Sequence, residues 1–218
     1  MTKLILIRHA ETEGNLNGVW NGVTDAPLTQ RGQKQITATA HHMKSLVMTY
    51  PIHAFYASPI GRARKTAAAI ESAIHRSAIV EGDLREFDLG DWEGRSMKEL
   101  AEQENLWQRW AADPTFKPPN GESPSSFRAR ALKVIERLVA RHTEETVLVV
   151  SHGGIIGNAL GQRLDGSAND WAKWEPHNCS ISLLEYDGEQ WNGILVNDVG
   201  HLTPELIAEP NHDYANLE

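Results

Sequence analysis

The sequence has little cysteine, no cluster of basic residues and no long apolar run, and each of these shortages excludes a class of protein. Cys179 is the only cysteine in 218 residues, so the chain forms no internal disulfide and suits a reducing compartment. The formal net charge is -8 and no block of lysine or arginine occurs, which argues against a nucleic-acid partner. The first apolar run is too short for a signal-peptide core or a membrane span. We therefore expect a cytoplasmic protein that binds neither nucleic acid nor a membrane.

The length of the chain also limits its organisation. At 218 residues the sequence is long enough for one substantial hydrophobic core but short for two independent domains. No internal repeat or low-complexity segment divides it. We therefore expect one domain over residues 1–218.

Two apolar runs from distant parts of the chain each end in a histidine. Residues 4–7 are followed by Arg8 and His9, and residues 146–151 are followed by His152. Continuous apolar runs of this length are typical of strands that are buried on both faces of a parallel sheet. Ligands of such sheets bind at the carboxyl ends of the strands. Both histidines are therefore predicted to line one pocket.

The segments that follow these strands favour an anion as the ligand. Gly153 and Gly154 open a periodic apolar segment that is typical of a helix, whose first backbone N–H groups would face the pocket. A third predicted strand, Ala54–Ala57, leads to a helix whose first turn carries three cations, among them Arg62. Cations at the N-terminus of a helix are unfavourable for the helix dipole unless an anion is close. Together these segments predict a phosphate pocket.

Four motifs in chain order resemble those of a known family. They read R-H-A-E-T-E-G-N from position 8, S-P-I-G-R-A-R-K-T-A from position 58, L-R-E-F-D-L-G-D-W-E-G from position 84 and V-S-H-G-G from position 150. Together they resemble the histidine phosphatase superfamily, also called the phosphoglycerate mutase-like family. The resemblance covers residues 4–157.

The resemblance implies a fold and shows one departure from the family pattern. The implied fold is α/β, a three-layer αβα sandwich with a mostly parallel central sheet and helices on both faces. It includes a helical lid insertion around residues 95–125. The first motif of the family usually reads R-H-G, whereas this chain has Ala10 in place of the glycine. A methyl group there is expected to matter if the backbone needs a glycine conformation or a close approach.

The resemblance also implies a role for each residue of the predicted pocket. His9 would be the nucleophile that forms a phosphohistidine, and Glu86 would protonate the departing alcohol. Asp88 in the same acidic loop is the alternative proton donor, whereas Glu93 matches a structural turn. The other predicted site residues are one further catalytic histidine, His152, and four groups that bind the phosphate: Arg8, Asn15, Arg62 and Gly153.

These residues predict a metal-independent phosphatase that hydrolyses a small phosphomonoester and needs no cofactor. Arginines would supply the positive charge that Mg²⁺ supplies in other phosphoryl-transfer sites. A competing interpretation is a metal site of two histidines and one carboxylate, built from His9, His152 and Glu86. Arg8 and Arg62 would repel a cation there, which makes the metal site the weaker interpretation.

Two further alternatives use the same pocket. A phosphoglycerate mutase would return the phosphoryl group to a sugar acid, which requires basic residues for the substrate carboxylate. Residues 100–123 of the predicted lid offer only Arg109 and Lys117. The other alternative is a binding module without catalysis, and the presence of both histidines and Glu86 argues against it. The expected partner is a small phosphorylated metabolite, and exposed tryptophans are candidates for a homodimer face.

The predicted lid has its own local pattern. Ser96 and Glu99 fit a capping box that opens one helix reaching position 112. This helix carries Trp107 and Trp110, which are predicted either to pack in the core or to stack on the substrate. After a proline-rich loop, a second helix is predicted to begin at position 124.

Overall fold

The computed structural model describes residues 1–167 and 172–208. The predicted single domain of residues 1–218 therefore includes two segments, 168–171 and 209–218, that lie outside the described residues. Within the described part, the strands are β1 (Thr2–Arg8), β2 (Ala54–Ala57), β3 (Ile79–Val80), β4 (Thr146–Ser151), β5 (Ile181–Tyr186) and β6 (Trp191–Asp198). The α-helices there are α1 (Glu13–Leu16), α2 (Gln30–Thr49), α3 (Gly61–Ile74), α4 (Met97–Glu104), α5 (Leu106–Ala112), α6 (Pro124–Arg141) and α7 (Gly153–Leu160).

The six strands form one sheet in the order β3-β2-β4-β1-β5-β6. Strands β3, β2, β4 and β1 run parallel to one another. Strand β5 pairs antiparallel with β1 and with β6, so the antiparallel part is confined to one side of the sheet. The mostly parallel sheet expected from the sequence is therefore confirmed.

Side chains of the central strands alternate between two hydrophobic cores. In β1, Leu4 and Leu6 join residues of α6 and α7 in one core, whereas Ile5 and Ile7 join residues of α2 and α3 in the other. All four side chains are at most 1% exposed. Burying each of them contributes roughly 1.5–3 kcal/mol relative to leaving it in water. The sheet thus lies between two helical layers, which confirms the three-layer αβα sandwich.

The register between β1 and β4 places the two strand-end histidines side by side. The strands remain paired up to Arg8, which lies opposite Ser151. The next residue, His9, donates its backbone N–H to the Ser151 carbonyl at 2.9 Å. His9 and His152 each follow one of these paired ends directly, so they lie together at the carboxyl end of the sheet.

The predicted lid differs from its expected form in two respects. A break at Asn105 divides the expected single helix into α4 and α5, because Asn105 adopts a left-handed conformation with φ of +50°. Asparagine tolerates this conformation better than most residues. The Ser96 hydroxyl accepts the Glu99 N–H at 3.1 Å, but the Glu99 carboxylate binds Arg95 instead of completing the capping box.

Two helix starts bear on the site. Helix α1 is a single turn within the loop after β1, where Thr12 and Asn15 form a capping box that the sequence analysis did not predict. Helix α6 begins at Pro124 with Ser123 as its N-cap, as predicted. Across residues 1–167 and 172–208, each helix is too short or too polar to cross a membrane.

Candidate active site

His9 is held as a neutral ring with an unprotonated Nε2. Its Nδ1 lies 2.8 Å from the Ala10 carbonyl, and since a carbonyl can only accept, Nδ1 carries the proton. The other ring nitrogen, Nε2, accepts the Nε–H of Arg62 at 3.2 Å. Burial, with the Arg62 and Arg8 charges next in size, keeps the pKa of His9 well below its ordinary value. The ring therefore presents a lone pair to the site, as a nucleophile must.

The two outer nitrogens of Arg62 bind backbone carbonyls. Its Nη1 donates to the Thr24 carbonyl at 2.8 Å, and its Nη2 donates to the carbonyls of Asn21 and Gly22 at 2.9 and 2.7 Å. Both ends of the fork thus bind the loop after α1, and the Nε–H remains directed at His9. The loop carbonyls therefore fix the orientation of the Arg62 guanidinium.

Glu93 holds the loop that binds Arg62. Its carboxylate accepts the backbone N–H groups of Gly22 and Val23 at 3.0 Å each, and of Thr24 at 3.2 Å. The Thr24 hydroxyl also donates to it. With these N–H groups bound to Glu93, the loop turns its carbonyls towards Arg62. A structural turn was predicted at Glu93, and these contacts show that the turn orients the loop that binds Arg62.

The start of α3 fits closely around Asp25. The Asp25 carboxylate accepts the Arg62 backbone N–H at 3.1 Å. A side chain at Gly61 would place a Cβ only 2.0 Å from Asp25 Oδ2, so a larger residue would displace this carboxylate. The carboxylate also lies 3.8 Å from Arg62 Nη1 and offsets part of the positive charge at this helix N-terminus.

His152 is completely buried beside His9, with their ring centroids 5.1 Å apart. Its Nε2 lies 2.7 Å from the Ser58 hydroxyl, while its Nδ1 is buried and has no partner among the residues that the structure describes. When Ser58 donates to Nε2, the neutral ring carries its proton on Nδ1, where it can donate to an anion. Burial, followed by the charge of Arg62, lowers the pKa of His152 well below its ordinary value.

Glu86 lies between β3 and α4, and it lines the same site. Its carboxylate accepts the N–H of Phe87 at 2.8 Å and the N–H of Gly154 at 2.9 Å. Burial raises the pKa of Glu86 despite these two hydrogen bonds and the nearby arginines. A Cβ at Gly154 would lie 2.5 Å from Glu86 Oε1 and 2.8 Å from the Phe127 ring, so glycine is needed there.

The alternative proton donor, Asp88, serves its own loop. Its Oδ1 accepts the N–H of Gly90 at 3.0 Å. Within residues 1–167 and 172–208, the pocket lining includes Glu86 but not Asp88. The geometry therefore favours Glu86 over Asp88 for proton transfer.

Arg8 and Gly153 adjoin one another at the mouth of the site. The Arg8 Nη1 donates to Glu175 at 3.1 Å and to the Pro176 carbonyl. Its Nε is buried without a hydrogen-bond partner in the described part of the chain. A Cβ at Gly153 would lie 3.4 Å from Arg8 Cζ, which is van der Waals contact, so the two residues are direct neighbours. The unpaired Nε–H suits an anion, because buried donors normally have an acceptor.

Asn15 reaches the pocket from α1. Its Oδ1 accepts the N–H and the hydroxyl of Thr12 at 3.2 and 3.1 Å, and the Asn178 amide at 3.3 Å. The same Asn178 amide donates to the His9 carbonyl at 3.0 Å. Asn15 thus links α1 to Thr12 and to the Asn178 amide beside His9.

These side chains surround a cavity of about 620 Å³. Six of the seven predicted site residues line it: Arg8, His9, Asn15, Arg62, Glu86 and Gly153. The seventh, His152, is not among the lining residues, and its ring centroid lies 5.1 Å from that of His9. No role was predicted from the sequence for Ser58, Asp25 or Asn178. The motif S-P-I-G-R contains Ser58, but only the structure shows that it contacts a histidine from another strand.

The unusual Ala10 is accommodated without strain. Its side chain is completely buried and belongs to a small core with Cys179 and Leu202. Its backbone N–H donates to the Thr66 hydroxyl at 3.1 Å. Ala10 is not one of the described residues with positive φ, so its conformation does not require glycine. The His9 contact to the Ala10 carbonyl is retained.

The fold and the site together define a pocket suited to phosphoryl groups. Two arginines and two histidines converge at the ends of parallel strands, beside a protonatable carboxyl group and the start of α7. The chain belongs to the histidine phosphatase superfamily (branch 1), whose family model matches residues 4–199.

Relatives of known name support this membership. The chain is 33% identical to "Probable phosphoglycerate mutase GpmB" of Proteus mirabilis, over 96% of this chain and 99% of that protein. It is similar in structure to phosphoserine phosphatase of Entamoeba histolytica in complex with 3-phosphoglyceric acid, with a TM-score of 0.80, 28% identity, and coverage of 93% and 100%. It is also similar to the α-ribazole phosphatase of Shigella flexneri, with a TM-score of 0.77, 25% identity, and coverage of 90% and 96%.

Proposed function

We propose that this protein is a phosphatase that hydrolyses a small phosphomonoester through a phosphohistidine at His9. The observation that carries the proposal is the state of the His9 ring: Nδ1 is bound to the Ala10 carbonyl, and Nε2 faces the pocket beside Arg62. A neutral imidazole whose unprotonated nitrogen lies among cations is suited to attack a phosphate.

In the first step, His9 Nε2 attacks phosphorus and the ester P–O bond breaks. The electron pair of that bond leaves with the alcohol oxygen, which takes a proton from Glu86. The raised pKa of Glu86 supports this role, because it favours the protonated form that an acid needs. Arg8, Arg62 and the Nδ1–H of His152 would donate to the non-bridging oxygens.

In the second step, water attacks the phosphorus of the phosphohistidine. Glu86, now a carboxylate, takes a proton from that water. The P–N bond breaks, its electron pair returns to His9 Nε2, and inorganic phosphate leaves. No residue changes its oxidation state, and the enzyme returns to its starting form.

The proposal is tested by trapping the intermediate. The chain is incubated briefly with a ³²P-labelled phosphomonoester, denatured in alkali to preserve phosphohistidine, and digested for mass spectrometry. We expect label on His9, none in His9→Ala, and reduced turnover together with weaker phosphate binding in His152→Ala. Full turnover in His9→Ala would overturn the proposal.

A mutase is the second candidate, and Arg128 is the observation that favours it. Arg128 lines the same cavity and could contact a substrate carboxylate, whereas Arg109 lies over the Phe116 ring, 5.0 Å from its centroid. Neither Arg109 nor Lys117 lines the cavity in the described part of the chain. The lid cations that the sequence analysis considered are therefore poorly placed for a mutase.

The two candidates are separated with 3-phosphoglycerate and a trace of 2,3-bisphosphoglycerate. A phosphatase releases inorganic phosphate, and a mutase forms 2-phosphoglycerate. We expect phosphate release without appreciable isomerisation. Isomerisation faster than phosphate release, abolished in His9→Ala, would select the mutase.

A further inference from the structure

We propose that the alcohol portion of the substrate carries an aromatic ring, which packs against a wall of five aromatic side chains. The wall consists of Trp20, Phe87, Trp107, Trp110 and Phe127, all of which line the cavity. This inference rests on the proposed phosphatase function and concerns the class of substrate.

The five rings form one continuous surface. Trp20 stacks on Trp107 with centroids 6.2 Å apart and an interplanar angle of 25°, and Trp110 meets both of them edge-on at 5.9 and 5.8 Å. Phe87 links this group to Phe127, with centroid distances of 5.3 Å to Trp110 and 5.1 Å to Phe127. Trp20, Trp107 and Trp110 are half-buried, so part of their surface faces the cavity. Aromatic partners favour such faces and edges.

The wall begins where the alcohol would leave. Phe87 follows Glu86 directly and donates its N–H to the Glu86 carboxylate. On the other side of that carboxylate, the Phe127 ring lies against Gly154. The proton donor is therefore bordered by two aromatic rings, and the first atoms beyond the ester oxygen would meet them.

The charged groups around the wall do not provide a second anion site comparable with the phosphate pocket. Arg31 lines the cavity but is bound to the buried Glu11 at 2.6 Å. Glu175 brings a negative charge to the same rim. Arg128 lines the cavity next to Phe127, as a single cation beside five aromatic rings. A ring therefore fits the wall better than a carboxylate or a second phosphate.

One polar atom of the wall has no partner. The indole N–H of Trp110 is buried without a hydrogen-bond acceptor in the part of the chain that the structure describes. Buried indole N–H groups usually have an acceptor. A ring that carries an ether or heterocyclic acceptor would supply one, which refines the expected class to substituted aryl or heteroaryl alcohols.

The test compares 2-phenylethyl phosphate with ethyl phosphate. Both release a primary alkoxide, so the chemical step is matched and the ring is the difference. We expect kcat/KM to be at least 30-fold higher for 2-phenylethyl phosphate, on the order of what burying one aromatic side chain gives. Equal values, or higher values for phosphoserine or 3-phosphoglycerate, would overturn the inference.

Substitutions in the aromatic wall test whether its residues cause the preference for an aromatic substrate. Trp107→Leu, which keeps an apolar side chain, should reduce the 2-phenylethyl to ethyl ratio at least fivefold, and Trp110→Leu should do the same. Trp191→Leu is the matched control, because Trp191 lies on β6 away from the cavity lining and should leave the ratio unchanged. An unchanged ratio in both wall variants would contradict the assignment of the wall.

Binding without turnover separates this inference from the proposed function. Isothermal titration with 2-phenylethylphosphonate and ethylphosphonate, neither of which can be hydrolysed, should give at least tenfold tighter binding of the former. Absence of any phosphohistidine would remove the proposed function but leave this binding comparison valid. Equal affinities would remove the aromatic preference even if the protein hydrolyses phosphomonoesters.

Discussion

Arg62 donates its Nε–H to His9 Nε2, the atom that we propose attacks phosphorus. The hydrogen bond and the attack cannot use the same lone pair at once. When a phosphate group binds, the Arg62 Nε–H must therefore release His9 Nε2 and donate its hydrogen bond to a phosphate oxygen instead. The backbone carbonyls of the loop keep the rest of the guanidinium in place during this exchange.

The first prediction concerns this anchoring. Arg62→Lys keeps the charge but loses the planar fork that binds three carbonyls, so kcat/KM for p-nitrophenyl phosphate should fall by about 10²–10³, the usual effect of losing a preorganised donor. Steady-state assays measure it. Arg64→Lys is the matched control, because Arg64 pairs with Glu71 at 3.1 Å outside the cavity. Activity of Arg62→Lys within threefold of the unmodified chain would contradict the role.

The second prediction concerns the proton donor. Glu86→Gln should slow hydrolysis of an alkyl phosphate by on the order of a hundredfold or more, because an alkoxide needs a proton in the transition state. Transfer from p-nitrophenyl phosphate should be much less affected, since nitrophenolate is a good leaving group. A fast nitrophenolate burst followed by slow turnover would show that only the water step has suffered.

Asp88→Asn provides the comparison for Glu86. The Asp88 carboxylate accepts the Gly90 N–H, so the substitution could weaken this loop. We then expect a general loss of activity that does not depend on the leaving group. If Asp88→Asn shows the leaving-group dependence and Glu86→Gln does not, the proton donor is Asp88.

The third prediction is that activity survives exhaustive dialysis against EDTA. The reason is chemical: Arg8 and Arg62 place positive charge where a metal would otherwise be required. In residues 1–167 and 172–208, no three His, Cys, Asp or Glu side chains are grouped to hold a metal ion. Phosphate release before and after dialysis is the measurement. Loss of activity that Mg²⁺ or Mn²⁺ restores would revive the metal-site interpretation.

The fourth prediction concerns stability at acidic pH. The native pKa of His152 is well below 6.5, so in the native state the ring stays neutral at pH values where the unfolded chain binds a proton. Stability is therefore retained above about pH 6.5 and lost as pH falls below it, with a slope approaching 1.4 kcal/mol per pH unit for each such histidine. Urea unfolding between pH 7.5 and 5 measures this slope.

Removing the His152 ring should reduce that slope. In His152→Asn, the slope of the unfolding free energy against pH should decrease by about the contribution of one bound proton. This decrease should be seen whatever stability the substitution itself removes. His41→Asn, at an exposed position of α2, is the control and should leave the slope unchanged. Parallel slopes for His152→Asn and the unmodified chain would contradict the buried neutral state.

The sequence was most informative where a local pattern determines the structure. Apolar runs predicted the central strands, and their ends predicted where His9 and His152 meet, because parallel strands place their carboxyl ends at one edge. Resemblance to a family then assigned Glu86 to the site. The contacts of Glu86 with the N–H groups of Phe87 and Gly154 agree with that assignment.

The sequence was least informative where distant segments meet. The use of the Arg62 fork by loop carbonyls depends on how Glu93 orients that loop, and no pattern within either segment encodes the contact. The hydrogen bond between Ser58 and His152 likewise joins residues that follow two different strands, so no local pattern predicts it. The break at Asn105 was missed because apolar periodicity continues through it, and a single left-handed residue ends the helix without a proline or glycine.

The central position of β1 has a consequence for how the chain folds. This strand is the first of the six in sequence, yet its neighbours are β4 and β5, so Lys3 must find Thr146 and Thr2 must find Tyr186. A ribosome releases β1 long before either partner exists. Contacts so distant in sequence close late, and until then the apolar strand is open to association with other chains. His9, carried on the end of β1, therefore reaches its native surroundings only after β4 and β5 have been synthesised.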